Sequence, residues 1–187
     1  MNWDSAYKSG YIAELLNSHS WFKMAESLIS AGELLEPMIL ETWEKLRQVH
    51  HTESDDIGNI RYLGTYFMLM AYAIENILKG MIIFNNRIGF RQYLKRTGNL
   101  PPRLKSHKLY NLAIRARIEI DEAEEDLLRR MTRSARWKGR YPVPLDYDEL
   151  MGQEYSNGTF RNDSVFMSAD IEKVKNFIIK LRRVEQS

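Results

Sequence analysis

The sequence predicts an all-α fold, a bundle of amphipathic helices. Three observations carry that expectation. Apolar residues recur every third or fourth position through several long segments. Helix-start and helix-stop residues stand at the ends of those segments. No segment alternates apolar and polar positions with β-branched side chains, as a half-buried strand would. A chain of 187 residues fits one domain, and a composition of 44% apolar and 28% charged residues is that of a chain able to bury its own core.

Taken in order, residues 4–17 add a first helical piece. From Ser20, the residues Trp21, Ala25, Leu28, Leu35, Ile39 and Leu46 line one helix face. Pro37 falls inside this pattern, and its missing N–H and ring clash predict a break near Leu35–Glu36. The polar run from His50 to Asn59, with Gly58, reads as a loop. Tyr62, Tyr66, Leu69, Ala73, Ile77, Met81 and Phe84 form the stripe of the next helix. Met68, Met70, Ile74, Leu78 and Ile82 extend its apolar surface round most of the circumference, which predicts the central helix of the bundle. Asn85-Asn86 weakens it, and residues 87–97 form a short helix ended by Gly98 and Pro101-Pro102. Ser106 is expected to cap a third long helix through Leu109, Leu112, Ala113 and Ala116. Asp121 with Glu124 has the form of a capping box, opening a helix through Leu127, Leu128, Met131 and Ala135. Residues 138–167 are rich in Gly, Pro, Asn and Asp and read as a long loop with one turn at 147–151. Ser168 is expected to cap a last helix that turns Ile171, Val174, Ile178 and Leu181 inward.

Composition also excludes. There is no cysteine, so no disulfide, thiolate metal site or thiol chemistry. The start Met1-Asn2-Trp3-Asp4 lacks the basic residues and apolar run of a signal peptide, and a cytoplasmic location is expected. Tyr62 to Phe84 is the most apolar stretch, but Glu75, Asn76 and Lys79 near its middle would be costly in lipid, so a buried core helix without membrane contact is expected.

Charge is segregated along the chain. From Asn76 to Ile118 there is no acidic residue, while Lys79, Arg87, Arg91, Lys95, Arg96, Arg103, Lys105, Lys108, Arg115 and Arg117 all lie there. Glu119, Asp121, Glu122, Glu124, Glu125 and Asp126 follow, and then Arg129, Arg130, Arg133, Arg136, Lys138 and Arg140. Such blocks either face a polyanion or pair with each other across the fold.

Four pieces of this sequence, in order, resemble the HEPN family of helical domains. They are Trp21–Ile29 in the first core helix, Ala71–Gly80 like the family's central A-x-E-x-x-x-K helix, Ser106–Leu112 like its G-H-x-L-x-x-L helix start, and Trp137–Pro142 like its R-Y-P turn. The resemblance implies a core of about 20–142 and an extra C-terminal loop and helix at 143–187, within a single domain over 1–187. It also implies a homodimer, with RNA, a nucleotide or a protein partner as ligand, in a defence or toxin–antitoxin setting.

Many members of that family are metal-independent ribonucleases whose motif is Arg, four to six residues, then His. Cleavage by the RNA's own 2′-hydroxyl needs a base to take its proton and a cation to hold the phosphorane charge. Here His19 has no arginine before it, His50 and His51 follow Arg47 too closely, and His107 follows Arg103 by four positions, one short of the motif. No histidine follows the late helix, so a non-catalytic protein is expected. The alternative is an RNA endonuclease using His107 with Arg103 or Arg140. Glu75 and Lys79 stand four apart, a spacing that pairs them on one helix face, with Arg140 or His107 as further partners. The candidate phosphate-binding set is Arg129, Arg133, Arg136, Lys138, Arg140 and Tyr141, cations interleaved with the rings of Trp137 and Tyr141; pairing of these arginines with the acidic cluster is the competing reading. The run from His50 to Asp56 has metal-ligand residue types without the spacing of a closed site, so no metal and no cofactor are expected.

Overall fold

The computed structural model describes residues 3–48, 62–138, 153–155, 157–158, 160–161 and 166–185. In chain order the helices are α1 (Trp3–Leu15), α2 (Ser18–Glu33), α3 (Glu36–Gln48), α4 (Leu63–Thr97), α5 (Leu109–Arg115), α6 (Glu122–Arg133) and α7 (Ser168–Glu185). A 3₁₀ turn at Pro102–Leu104 precedes α5, and a π-helical turn at Ser134–Lys138 continues α6. The only extended pieces among the described residues are β1 (Gln153–Glu154) and β2 (Phe160–Arg161). They form a two-residue antiparallel ribbon with Gln153 opposite Arg161. The chain is mostly helical, as expected, although the 138–167 stretch is not free of strand.

The break expected at Pro37 is present: α2 ends at Glu33 and α3 opens at Glu36 with the proline in its first turn. The expected short helix at 87–97 runs on from the central helix. Asn86, at φ −128° and ψ 22°, kinks α4 there, and its side-chain amide donates to the Ile82 carbonyl at 2.9 Å, satisfying an acceptor that the kink frees. Gly98 adopts the left-handed conformation (φ 69°) that ends α4 and donates its N–H to Leu94. The capping box is as read: the Asp121 carboxylate accepts from the Glu124 amide at 2.8 Å, and the Glu124 carboxylate accepts from the Asp121 amide at 3.1 Å.

Two helix starts differ from expectation. Ser106 does not cap a long helix. Its hydroxyl accepts from the Lys108 amide at 3.2 Å, which closes a turn, and the helix that follows, α5, has only 7 residues. The Leu109 amide at its start is taken by the Thr132 hydroxyl of α6 at 3.0 Å. At the other end, Ile118 N–H donates to Ala113 O and Arg117 N–H to Ile114 O, a Schellman arrangement that places Arg117 at φ 64°. At α7 it is Asp170 that closes the first turn, accepting from the Met167 amide at 2.8 Å. The expected loop at 50–59 and turn at 147–151 lie outside the described residues.

α4 is the hub, contacting α1, α2, α5, α6, α7 and the π-helical turn. Its apolar surface is long enough to cross a membrane, but 72% of that window is buried within the fold. The α2–α4 contact is the most extensive, and two glycines set its closeness. A Cβ at Gly80 would lie 2.6 Å from Phe22 Cε1, and one at Gly32 would lie 2.8 Å from Met70 Cε. Phe67 of α4 stacks on Phe166, with centroids 3.7 Å apart, which brings the start of α7 onto the same core. The Tyr72 hydroxyl donates to the Ala135 carbonyl at 2.8 Å and ties α4 to the π-helical turn.

Candidate functional site

Glu75 is buried in the middle of the largely apolar α4, so its charge must be met by side chains. Lys79, one turn on, donates to its Oε1 at 2.6 Å, and both side chains are under 10% exposed. His107, carried in by the loop before α5, places Nδ1 at 3.0 and 3.1 Å from the two carboxylate oxygens. An ionised carboxylate only accepts, so Nδ1 carries a proton and donates. Nε2 then has no partner among the described residues, on a ring whose side chain is 62% exposed. The result is a buried carboxylate that binds a buried lysine inside and orients an open imidazole outside. The Arg103 guanidinium makes no hydrogen bond to a described residue; its carbonyl accepts from Arg115 Nη1 at 3.0 Å. Arg140 lies outside the described residues.

The arginines of α6 do not form an open basic face. Arg129 pairs with Glu125 at 2.7 Å and packs its guanidinium over the rings of Tyr110 and Tyr155, 4.9 and 5.0 Å from their centroids. Arg130 is buried. It donates to Asp126 and, through both terminal nitrogens, to Asp170 of α7 at 2.9 and 3.1 Å. Burial disfavours the Asp170 anion, but Arg130, the Met167 amide and Lys173 outweigh it and hold the carboxyl at about 2, against 3.8 ordinarily. Burial likewise opposes the Arg130 cation, and its two carboxylates raise its pKa in spite of that. Burial and a hydrogen bond to Asp126 push the Tyr155 phenol up to about 12. Arg133 is only 6% exposed. Arg129 and Arg133 therefore do not make the open face expected of them: Glu125 and two tyrosine rings take Arg129, and Arg133 is buried within the fold. Arg136 is exposed. The Lys138 side chain, Arg140 and Tyr141 lie outside the described residues.

The acid-free stretch behaves differently. Arg87, Arg91, Lys95, Arg96, Arg103, Lys105, Lys108, Arg115 and Arg117 are all exposed, and none joins an ion pair among the described residues. Arg96 lies over the Tyr93 ring, 6.0 Å from its centroid. This block is visible in the sequence, although the expected phosphate-binding set lies on the later arginines. The signal that separates them is local: acids stand four residues before Arg129 and Arg130, and none stands between Asn76 and Ile118.

Among the described residues, no three histidine or carboxylate side chains gather as a metal site requires; the His50–Asp56 run lies outside them. No known protein family, curated protein or solved structure matches the chain.

Proposed function

We propose that this chain is a non-catalytic, HEPN-like RNA-binding module that meets the phosphate backbone with the basic residues from Arg87 to Arg117. The observation that supports this reading is an exposed set of cations on the second half of α4, the following loop and α5, with no carboxylate in that stretch and no ion pair to any described residue. Unpaired arginines and lysines release counterions when they meet phosphates, which drives sequence-independent binding. The family likeness rests on the four motifs, and a defence or toxin–antitoxin setting on that likeness alone. A homodimer belongs to the same proposal. Phe84 and Ile88, one turn apart on α4 and 73% and 78% exposed, offer apolar surface for it, and light scattering at micromolar concentration checks it.

The test is fluorescence polarisation with a mixed-sequence single-stranded RNA at low and physiological salt. Binding that weakens steeply with salt supports the reading, and no binding at low salt overturns it.

One observation favours a second reading, an RNA endonuclease. Glu75 holds His107 with Nε2 outward, in position to accept a 2′-hydroxyl proton. Incubation with RNA and a chelator separates the two readings. Fragments ending in cyclic phosphate that vanish in His107→Ala would establish cleavage. Intact RNA keeps the protein non-catalytic.

A further inference from the structure

The second half of α4 and the facing α1 form an open cleft of about 320 Å³, lined among the described residues by Lys8, Ser9, Ile12, Ala13, Arg91 and Lys95. Cations from two helices converge there without a carboxylate in the lining. Lys8, Arg91 and Lys95 are exposed, and among the described residues none has a carboxylate partner. Arg91 and Lys95 are one helical turn apart, a spacing at which like charges repel, and Lys8 adds a third charge from the other wall. The cleft would relieve that repulsion by taking up an anion. Ile12 and Ala13 give it an apolar wall that strengthens charge interactions inside it, and the Ser9 hydroxyl supplies a neutral donor.

The number of cations bears on which anion. A phosphodiester inside a strand carries one negative charge and is shared with solvent on both sides. A terminal phosphate monoester carries about −1.5 to −2 at neutral pH and presents three acceptor oxygens. Three cations and a hydroxyl converging on one open cleft match the second. We infer that the α1–α4 cleft holds the terminal phosphate of an RNA strand, so that the module engages phosphorylated strand ends in preference to strand interiors. This rests on the reading of the Arg87–Arg117 surface as RNA-binding, since Arg91 and Lys95 belong to both.

The experiment compares one short RNA in three forms: 5′-phosphorylated, 3′-phosphorylated, and with hydroxyls at both ends. Alongside it, calorimetry compares ribose 5-phosphate with ribose. At least one phosphorylated RNA is expected to bind about tenfold tighter than the hydroxyl form, the worth of one added charge-assisted hydrogen bond. Ribose 5-phosphate is expected to bind where ribose does not. Arg91→Ala combined with Lys95→Ala, both at exposed positions without ion pairs, removes the preference and the ribose 5-phosphate binding. Lys8→Gln, which keeps most of the side-chain length, reduces both. Equal affinity for all three RNAs, or a preference that survives the double substitution, overturns the inference. If the hydroxyl RNA binds with steep salt dependence and no end preference, the cleft assignment alone falls. If ribose 5-phosphate binds through Arg91 and Lys95 while no RNA binds, the RNA reading falls and the anion site stands.

Discussion

Replacing Glu75 by alanine strands Lys79 in the most buried part of α4. The lysine side chain is 7% exposed, and Glu75 Oε1 at 2.6 Å is its ion-pair partner. Truncating one member of a buried pair leaves an uncompensated charge and costs on the order of 3–5 kcal/mol. The lost hydrogen bond from His107 adds little, because water replaces it at a ring 62% exposed. In a domain of this size each kcal/mol moves the melting temperature by about 2–4 °C, so Glu75→Ala should lower it by roughly 6–20 °C. Replacing both partners with apolar residues of similar volume, Glu75→Leu with Lys79→Met, should recover most of the loss, because neither charge then needs solvation. Circular dichroism melts of the wild type, the single variant and the double variant read this directly. A single-variant shift below about 2 °C, or a double variant no better than the single, would refute the reasoning.

Further outcomes follow from the packing and the electrostatics. Gly80→Ala forces a methyl to within 2.6 Å of Phe22 Cε1 and should cost about 1–3 kcal/mol by overpacking. Phe22→Leu in that background should return part of it in urea unfolding. Asp170 sits at about 2 folded against 3.8 ordinarily, so its contribution is present above about pH 4 and lost as pH falls through about 2. That shift corresponds to about 2 kcal/mol, and the stability gap between wild type and Asp170→Asn should therefore narrow in acid; a pH-independent gap would contradict the Arg130 pairing.

Features written within one helical turn were legible in the sequence. Asp121 and Glu124 read as a capping box because both partners lie in that turn, and Pro37 read as a break because its effect is covalent. Glu75 and Lys79 were legible as a pair for the same reason. What the sequence could not show were contacts between distant segments. The Leu109 amide finds the Thr132 hydroxyl, 23 residues on, so α5 starts later than Ser106 suggests. Arg130 finds Asp170, 40 residues on, so the middle of a run of arginines that looks like a phosphate-binding face is paired inside the fold. The basic stretch before it was visible as composition, but its exposure depends on which helix faces the bundle leaves uncovered. The cleft with Lys8 depends on α1 packing against the part of α4 beyond the Asn86 kink, which no local pattern announces.

The central claim is that phosphates are met by the residues from Arg87 to Arg117 and not by the arginines of α6 and its continuation. The most direct measurement is the slope of log affinity for single-stranded RNA against log salt. If roughly six of these cations meet phosphates, the slope is about −4 and affinity falls about 300-fold between about 50 and 200 mM salt. Arg115→Ala with Arg117→Ala removes two contacts and should reduce the slope by about 1.4, whereas Arg136→Ala should leave it unchanged. The account is contradicted if the Arg115/Arg117 variant keeps the full slope while Arg136→Ala flattens it.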